Sequence, residues 1–149
     1  MRAESTQHTL TVLYPLYKEE VYRRRDQMMK LTVWGAAGLL TMLFAILLSP
    51  YKTRLTTPET WLIGLAALIW SGIFCFLIAQ QRYRHRLAKQ ILIQLERTLG
   101  FYEEGLFVER QALYPEEWKT AWLGDKSTIL YIACLGILTG LIVLSLLTH

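Results

Sequence analysis

Three stretches of this chain carry no charged side chain: Leu31 to Leu48, Trp61 to Ala79 and Thr128 to Leu147. Each is roughly 18 to 20 residues long, which at helical rise covers about 27–30 Å, the thickness of a bilayer's hydrocarbon core. Backbone N–H and C=O groups cannot be left unpaired in hydrocarbon, and no barrel-like alternation is visible, so all three are expected to be helices. Pro50 marks the end of the first stretch. The expected fold class is therefore an all-α integral membrane protein with three transmembrane helices.

Composition agrees with that class. Of 149 residues, 53% are hydrophobic and 19% charged, with a mean hydropathy of +0.27, so neither a disordered chain nor several soluble domains is expected. The net charge of +4 invites a nucleic-acid reading, but in a membrane protein excess Lys and Arg more often reports orientation. The opening MRAESTQHTLTVLYPLY lacks the apolar core and small-residue cleavage site of a secretory signal. The first span is expected to act as its own uncleaved signal.

Lys and Arg are distributed very unevenly between the spans. Six precede the first span, eight lie between the second and third, and only Lys52 and Arg54 occupy the short first loop. The positive-inside rule then places the N-terminus and the long loop in the cytoplasm, with His149 outside. A bacterial inner membrane fits this pattern.

The expected layout has six parts. Residues 1–30 form a cytoplasmic segment with an amphipathic helix, 31–49 the first span, 50–60 a short external loop and 61–79 the second span. Residues 80–126 form a cytoplasmic loop and 127–148 the third span. Thr57, Pro58 and Glu59 read as an N-cap, an N1 proline and an acidic first turn for the second helix. Within the long loop, 80–99 reads as a helix with Ala88, Leu92, Leu95 and Leu99 on one face and Gly100 as its stop. After Pro15, Tyr14, Tyr17, Val21 and Met28 give a matching seam, interrupted by Arg24. These two segments are expected to pair as an antiparallel cytoplasmic hairpin in which facing residue numbers sum to about 111. Residues 100–114 are a turn region of open conformation. Residues 115–123 read as a short interfacial helix that puts Trp118 and Trp122 on one face.

The chemistry-bearing residues are sparse. No Asp, Glu, Lys, Arg or His lies within a span, which argues against a self-contained transporter. His8, His85 and His149 are expected at solvated positions, not as haem or metal ligands. Glu103, Glu104, Glu109, Glu116 and Glu117 show no ligand spacing on one face, and no phosphate loop or nucleophile–base set appears. Cys75 and Cys134 give no disulfide framework and no metal spacing. No catalytic residue, cofactor or metal is expected, and no nucleic-acid partner. The triplet Leu-Tyr-Pro occurs at both 13–15 and 113–115, which three shared residues leave most simply to chance.

Small residues inside the spans point instead to helix packing: Gly35 and Gly38 in the first, Gly64, Ala67 and Ser71 in the second, and Gly136-x-x-x-Gly140 in the third. Trp70, mid-span, needs a partner for its N–H and is expected to face protein. Trp34 and Trp61 read as interface anchors with Trp118 and Trp122. Arg23, Arg24 and Arg25, with Arg82, Arg84 and Arg86, are expected at anionic headgroups. The resulting expectation is a non-catalytic accessory, assembly or stabilising subunit of a larger membrane complex. Other membrane subunits and lipids would be its partners, through these small-residue faces and through Leu92, Leu95 and Leu99. The alternative is a homo-oligomeric pore or membrane-disrupting protein gated by the cytoplasmic arm.

Overall fold

The computed structural model describes residues 2–48, 57–117 and 127–148, with side chains from Thr9 onward. Among them, three helices are the only regular structure: α1 (Arg2–Leu48), α2 (Thr57–Thr98) and α3 (Ser127–Leu147). All three are long and apolar enough to cross a membrane, as a multi-pass membrane protein requires. An isolated bridge between Val108 and Gln111 does not extend into a strand.

The first helix is longer than expected. It runs unbroken from Arg2 through Pro15 to Leu48, joining the amphipathic segment expected within 1–30 and the first apolar stretch into one helix. A proline inside a helix removes one ladder bond and costs about 3 kcal/mol. Next to it, Tyr14 packs edge-on against Phe101 with ring centroids 5.3 Å apart, a contact that offsets part of that cost. At the other end, α2 begins at Thr57 with Glu59 in its first turn, as the cap residues imply.

The chain divides into two compact units. The first comprises residues 1–26 and 82–125, and the second residues 27–81 and 126–149.

In the second unit, all three helices contribute to one apolar core. Leu39 and Ile46 of α1, Ala67 and Ile78 of α2, and Leu135, Ile142 and Leu146 of α3 are buried together. The inward positions of α2 alternate by four and three: Thr60, Gly64, Ala67, Ser71, Phe74 and Ile78 are each buried or half-buried. That is a heptad seam, the spacing that keeps one helix face against its neighbours. Buried hydroxyls on the other helices satisfy themselves locally. Thr32 donates to the Met28 carbonyl at 2.9 Å and Thr139 to the Leu135 carbonyl at 2.8 Å. Apolar side chains also cover the outside of this unit, including Phe44, Leu62, Phe76, Leu130 and Ile137, each more than half exposed. An apolar exterior of this extent suits lipid and not water.

In the first unit, α1 and α2 pack through Val21, Ala88 and Leu92, with Tyr14 and Tyr17 against them. The seam spacing on α2 holds here too, through His85, Ala88, Leu92, Leu95 and Leu99. His85 is therefore a correction: it is 2% exposed and not solvated. Its neighbours Arg84 and Arg86 disguise it, but it lies three residues before Ala88 on the inward face.

The helix ends in a full Schellman motif. Gly100 takes φ of 77°, its N–H bonds to the Arg97 carbonyl at 3.1 Å, and the Phe101 N–H bonds to the Glu96 carbonyl at 3.0 Å. Residues 101–114 are turns and irregular backbone, anchored where the Tyr114 N–H bonds to the Phe101 carbonyl at 2.9 Å. Residues 115–117 continue without helix, and the remainder of the expected interfacial helix, with Trp118 and Trp122, lies outside the described residues.

Candidate functional site

The small residues singled out for helix packing fall into two groups. Gly35, Gly38, Gly64, Ala67 and Ser71 lie on surfaces the second unit itself covers. A Cβ built on Gly35 would stand 2.9 Å from Phe74 Cγ and 3.1 Å from Leu135 Cδ2. On Gly38 it would stand 2.6 Å from the Trp70 ring. The glycines of α1 thus make room for Trp70, whose Nε1–H donates to the Gly35 carbonyl at 3.2 Å. At Gly64 the nearest atom is Leu146 Cδ1 at 3.7 Å, and Ala67 and Ser71 are buried.

Gly136 and Gly140 behave differently. Both are exposed, and among the described residues a Cβ on either would meet nothing within 4 Å. They sit one turn apart in a shallow apolar groove of about 550 Å³, walled by Leu68, Ser71, Thr139 and Leu144. Both glycines open onto vacant space beside a face that a neighbouring backbone can approach closely.

The aromatic and basic residues are distributed along the helices. Trp34 and Trp61 are 70% and 72% exposed. Arg23, Arg25, Arg84 and Arg86 are exposed, whereas Arg82 is half-buried. Arg24, half-buried, bonds to Glu20 one turn earlier at 2.6 Å, so part of its charge is engaged within α1. Leu92 and Leu95 are buried and Leu99 half-buried, on the inward face of the first unit. Cys75 packs against the apolar core and Cys134 is exposed, both as free thiols.

A second constellation escaped the sequence reading. Glu96, 9% exposed, accepts a hydrogen bond from the Tyr102 hydroxyl at 2.7 Å and a long one from the Tyr14 hydroxyl at 3.5 Å. The Tyr14 and Tyr114 hydroxyls meet at 3.0 Å. Phe101 packs edge-on against Tyr14, Phe107 and Tyr114 at centroid distances of 5.3, 5.5 and 5.6 Å. Burial raises the Tyr102 phenol above its ordinary range, and its bond to the Glu96 carboxylate raises it further. Each Leu-Tyr-Pro triplet supplies one tyrosine of the contacting pair, although one triplet is helical and the other is not.

The loop glutamates Glu103, Glu104, Glu109, Glu116 and Glu117 are exposed. Among the described residues, no three His, Cys, Asp or Glu side chains are grouped to hold a metal ion. Comparison with protein-family models, with curated proteins and with solved structures finds no match to this chain.

Proposed function

We propose that this chain is a three-span inner-membrane protein acting by association, as a non-catalytic accessory, assembly or stabilising subunit of a larger membrane complex. The observation that carries the reading is the contrast among its glycines. Gly35 and Gly38 are filled by Trp70, Phe74 and Leu135, while Gly136 and Gly140 open onto a groove. Within a bilayer, helix association rests on close van der Waals packing, and G-x-x-x-G permits it. A helix of another membrane subunit seated on α3 would fill the groove.

The excess of Lys and Arg before the first span and between the second and third supports a cytoplasmic N-terminus and long loop. In that arrangement the paired ends of α1 and α2 form a cytoplasmic helical hairpin, and the exposed arginines face anionic headgroups. Single cysteines introduced at Glu104 and Thr148 test the orientation, since a membrane-impermeant thiol reagent should label only Thr148→Cys in intact cells.

Mild-detergent extraction at natural abundance, followed by native mass measurement and protein identification, tests the function. Co-migration with a set of different membrane proteins is the expected result. A ring made of this chain alone would overturn it.

A further inference from the structure

A buried carboxylate ordinarily has a cation beside it, because an uncompensated charge taken out of water is expensive. Glu96 is 9% exposed, yet no Lys, Arg or His nitrogen among the described residues lies within ion-pair distance of it. Its partners are phenols. The Tyr102 hydroxyl at 2.7 Å makes a full charge-assisted bond to Oε2, whereas Oε1 accepts one long bond, from the Tyr14 hydroxyl at 3.5 Å. One carboxylate oxygen therefore keeps lone-pair capacity.

Beside it lies a cavity of about 320 Å³. Its walls include Tyr14, Tyr22 and Tyr114, the apolar side chains of Val21 and Leu92, and Glu96 itself. Aromatic faces around a carboxylate attract a cation through ring quadrupole and charge together. The structure already displays that attraction: the ammonium of Lys18, an exposed residue on the cavity's rim, sits 5.7 Å from the Tyr14 ring centroid. Lys18 covers a tyrosine face without pairing with Glu96.

We propose that this cavity is a binding site for a small organic ammonium ion, held between the faces of Tyr14, Tyr22 and Tyr114 with its charge directed at Glu96. A hard metal ion is a poorer match. Calcium or magnesium needs about six oxygen ligands, and the walls supply one carboxylate and a few phenols. The apolar walls suit alkyl groups on nitrogen, which make the cation cheap to desolvate. Lys18 acts as a tethered competitor that a ligand displaces.

Tetramethylammonium chloride titrated calorimetrically into the detergent-solubilised full chain is the test, with potassium chloride at equal ionic strength as the control. The expected result is saturable binding of tetramethylammonium and not of potassium. Lys18→Ala, which alters only an exposed rim residue, should tighten binding by about fivefold by removing the competitor. Tyr22→Ala should weaken it about threefold through loss of one exposed wall. Glu96→Gln should weaken it tenfold or more, on the order of a close charge pair in a partly desolvated site. Absence of saturable binding in both the wild-type chain and Lys18→Ala would overturn the proposal. So would equal binding of potassium, or an unchanged affinity in Lys18→Ala and Tyr22→Ala together. These two exposed-residue variants decide the matter even where Glu96→Gln fails to fold.

Discussion

The indole N–H of Trp70 on α2 donates to the main-chain carbonyl of Gly35 on α1 at 3.2 Å, and its ring lies where a side chain at Gly38 would have to go. A tryptophan in the middle of an apolar helix is large and carries one donor that apolar neighbours cannot satisfy. Two glycines one turn apart solve both problems: Gly35 exposes its carbonyl and Gly38 vacates the space. Gly38→Leu should therefore destabilise the second unit by about 1–3 kcal/mol through overpacking. Trp70→Phe, which keeps an aromatic ring but loses the donor, should cost about 0.5–1.5 kcal/mol. Unfolding in mixed micelles of graded denaturing-detergent fraction measures both. Equal stability of Gly38→Leu and wild type would sink the packing account.

The same enlargement on α3 should have the opposite profile. Among the described residues nothing approaches a Cβ at Gly136 or Gly140 within 4 Å, so Gly136→Leu and Gly140→Leu should leave helix content and micellar unfolding of the isolated chain within about 0.5 kcal/mol of wild type. Under the association reading, both variants should lose co-migration with partner subunits. Retained co-migration in the double variant would remove the groove from the interface.

Much of this fold is legible in the sequence. Three helices long and apolar enough to cross a membrane follow from stretch length, because a bilayer dictates how many uncharged residues a helix needs. Thr57 and Gly100 mark the ends of α2, because capping chemistry is local. The inward face of Ala88, Leu92 and Leu95 follows from spacing alone. His85 was misread for a physical reason: two flanking arginines suggest water, whereas position along the seam decides burial. Stepping three residues back from Ala88 would have found it. The Glu96 cluster was out of reach in a different way. Tyr14, Tyr102 and Tyr114 come to one carboxylate region through irregular backbone after Gly100, and no periodicity links residue 14 to residues 102 and 114. Only Glu96 carried a faint signal, as a carboxylate next to Leu95 on an otherwise apolar face.

The Tyr102–Glu96 bond yields a pH dependence with a definite sign. Burial and the adjacent carboxylate both favour the neutral phenol, so its folded-state pKa lies above the value of about 10 in an unfolded chain. Its stabilising contribution is fully present below about pH 10 and is lost as pH rises through the folded value. A phenolate absorbance titration of wild type minus Tyr102→Phe should show one tyrosine ionising later than ordinary phenols. Tyr102→Phe should also weaken the attachment of residues 101–114 by about 1.5–3 kcal/mol, the range for a hydrogen bond to a charged group. Faster limited proteolysis in that segment is the readout. A difference titration centred at the ordinary phenol value would refute the buried, carboxylate-bonded geometry.

Gly100 and Gly105 share nearly the same backbone, with φ of 77° and 78°, but not the same surroundings. A Cβ at Gly105 meets open space, whereas one at Gly100 would stand 2.5 Å from Leu106 Cδ2. Gly105→Ala should thus cost only the left-handed backbone penalty, about 1–2 kcal/mol. Gly100→Ala carries that penalty and must also displace Leu106, inside the Schellman motif that ends α2 and starts the chain back toward Tyr114. It should be the more damaging of the two. The double variant Gly100→Ala with Leu106→Ala separates the contributions: removing the leucine should bring Gly100→Ala close to the cost of Gly105→Ala. Amide exchange at Phe101, whose N–H closes the motif on Glu96 at 3.0 Å, reports the result. Equal protection at Phe101 in Gly100→Ala and wild type would mean that the glycine is dispensable to the turn that builds the tyrosine cluster.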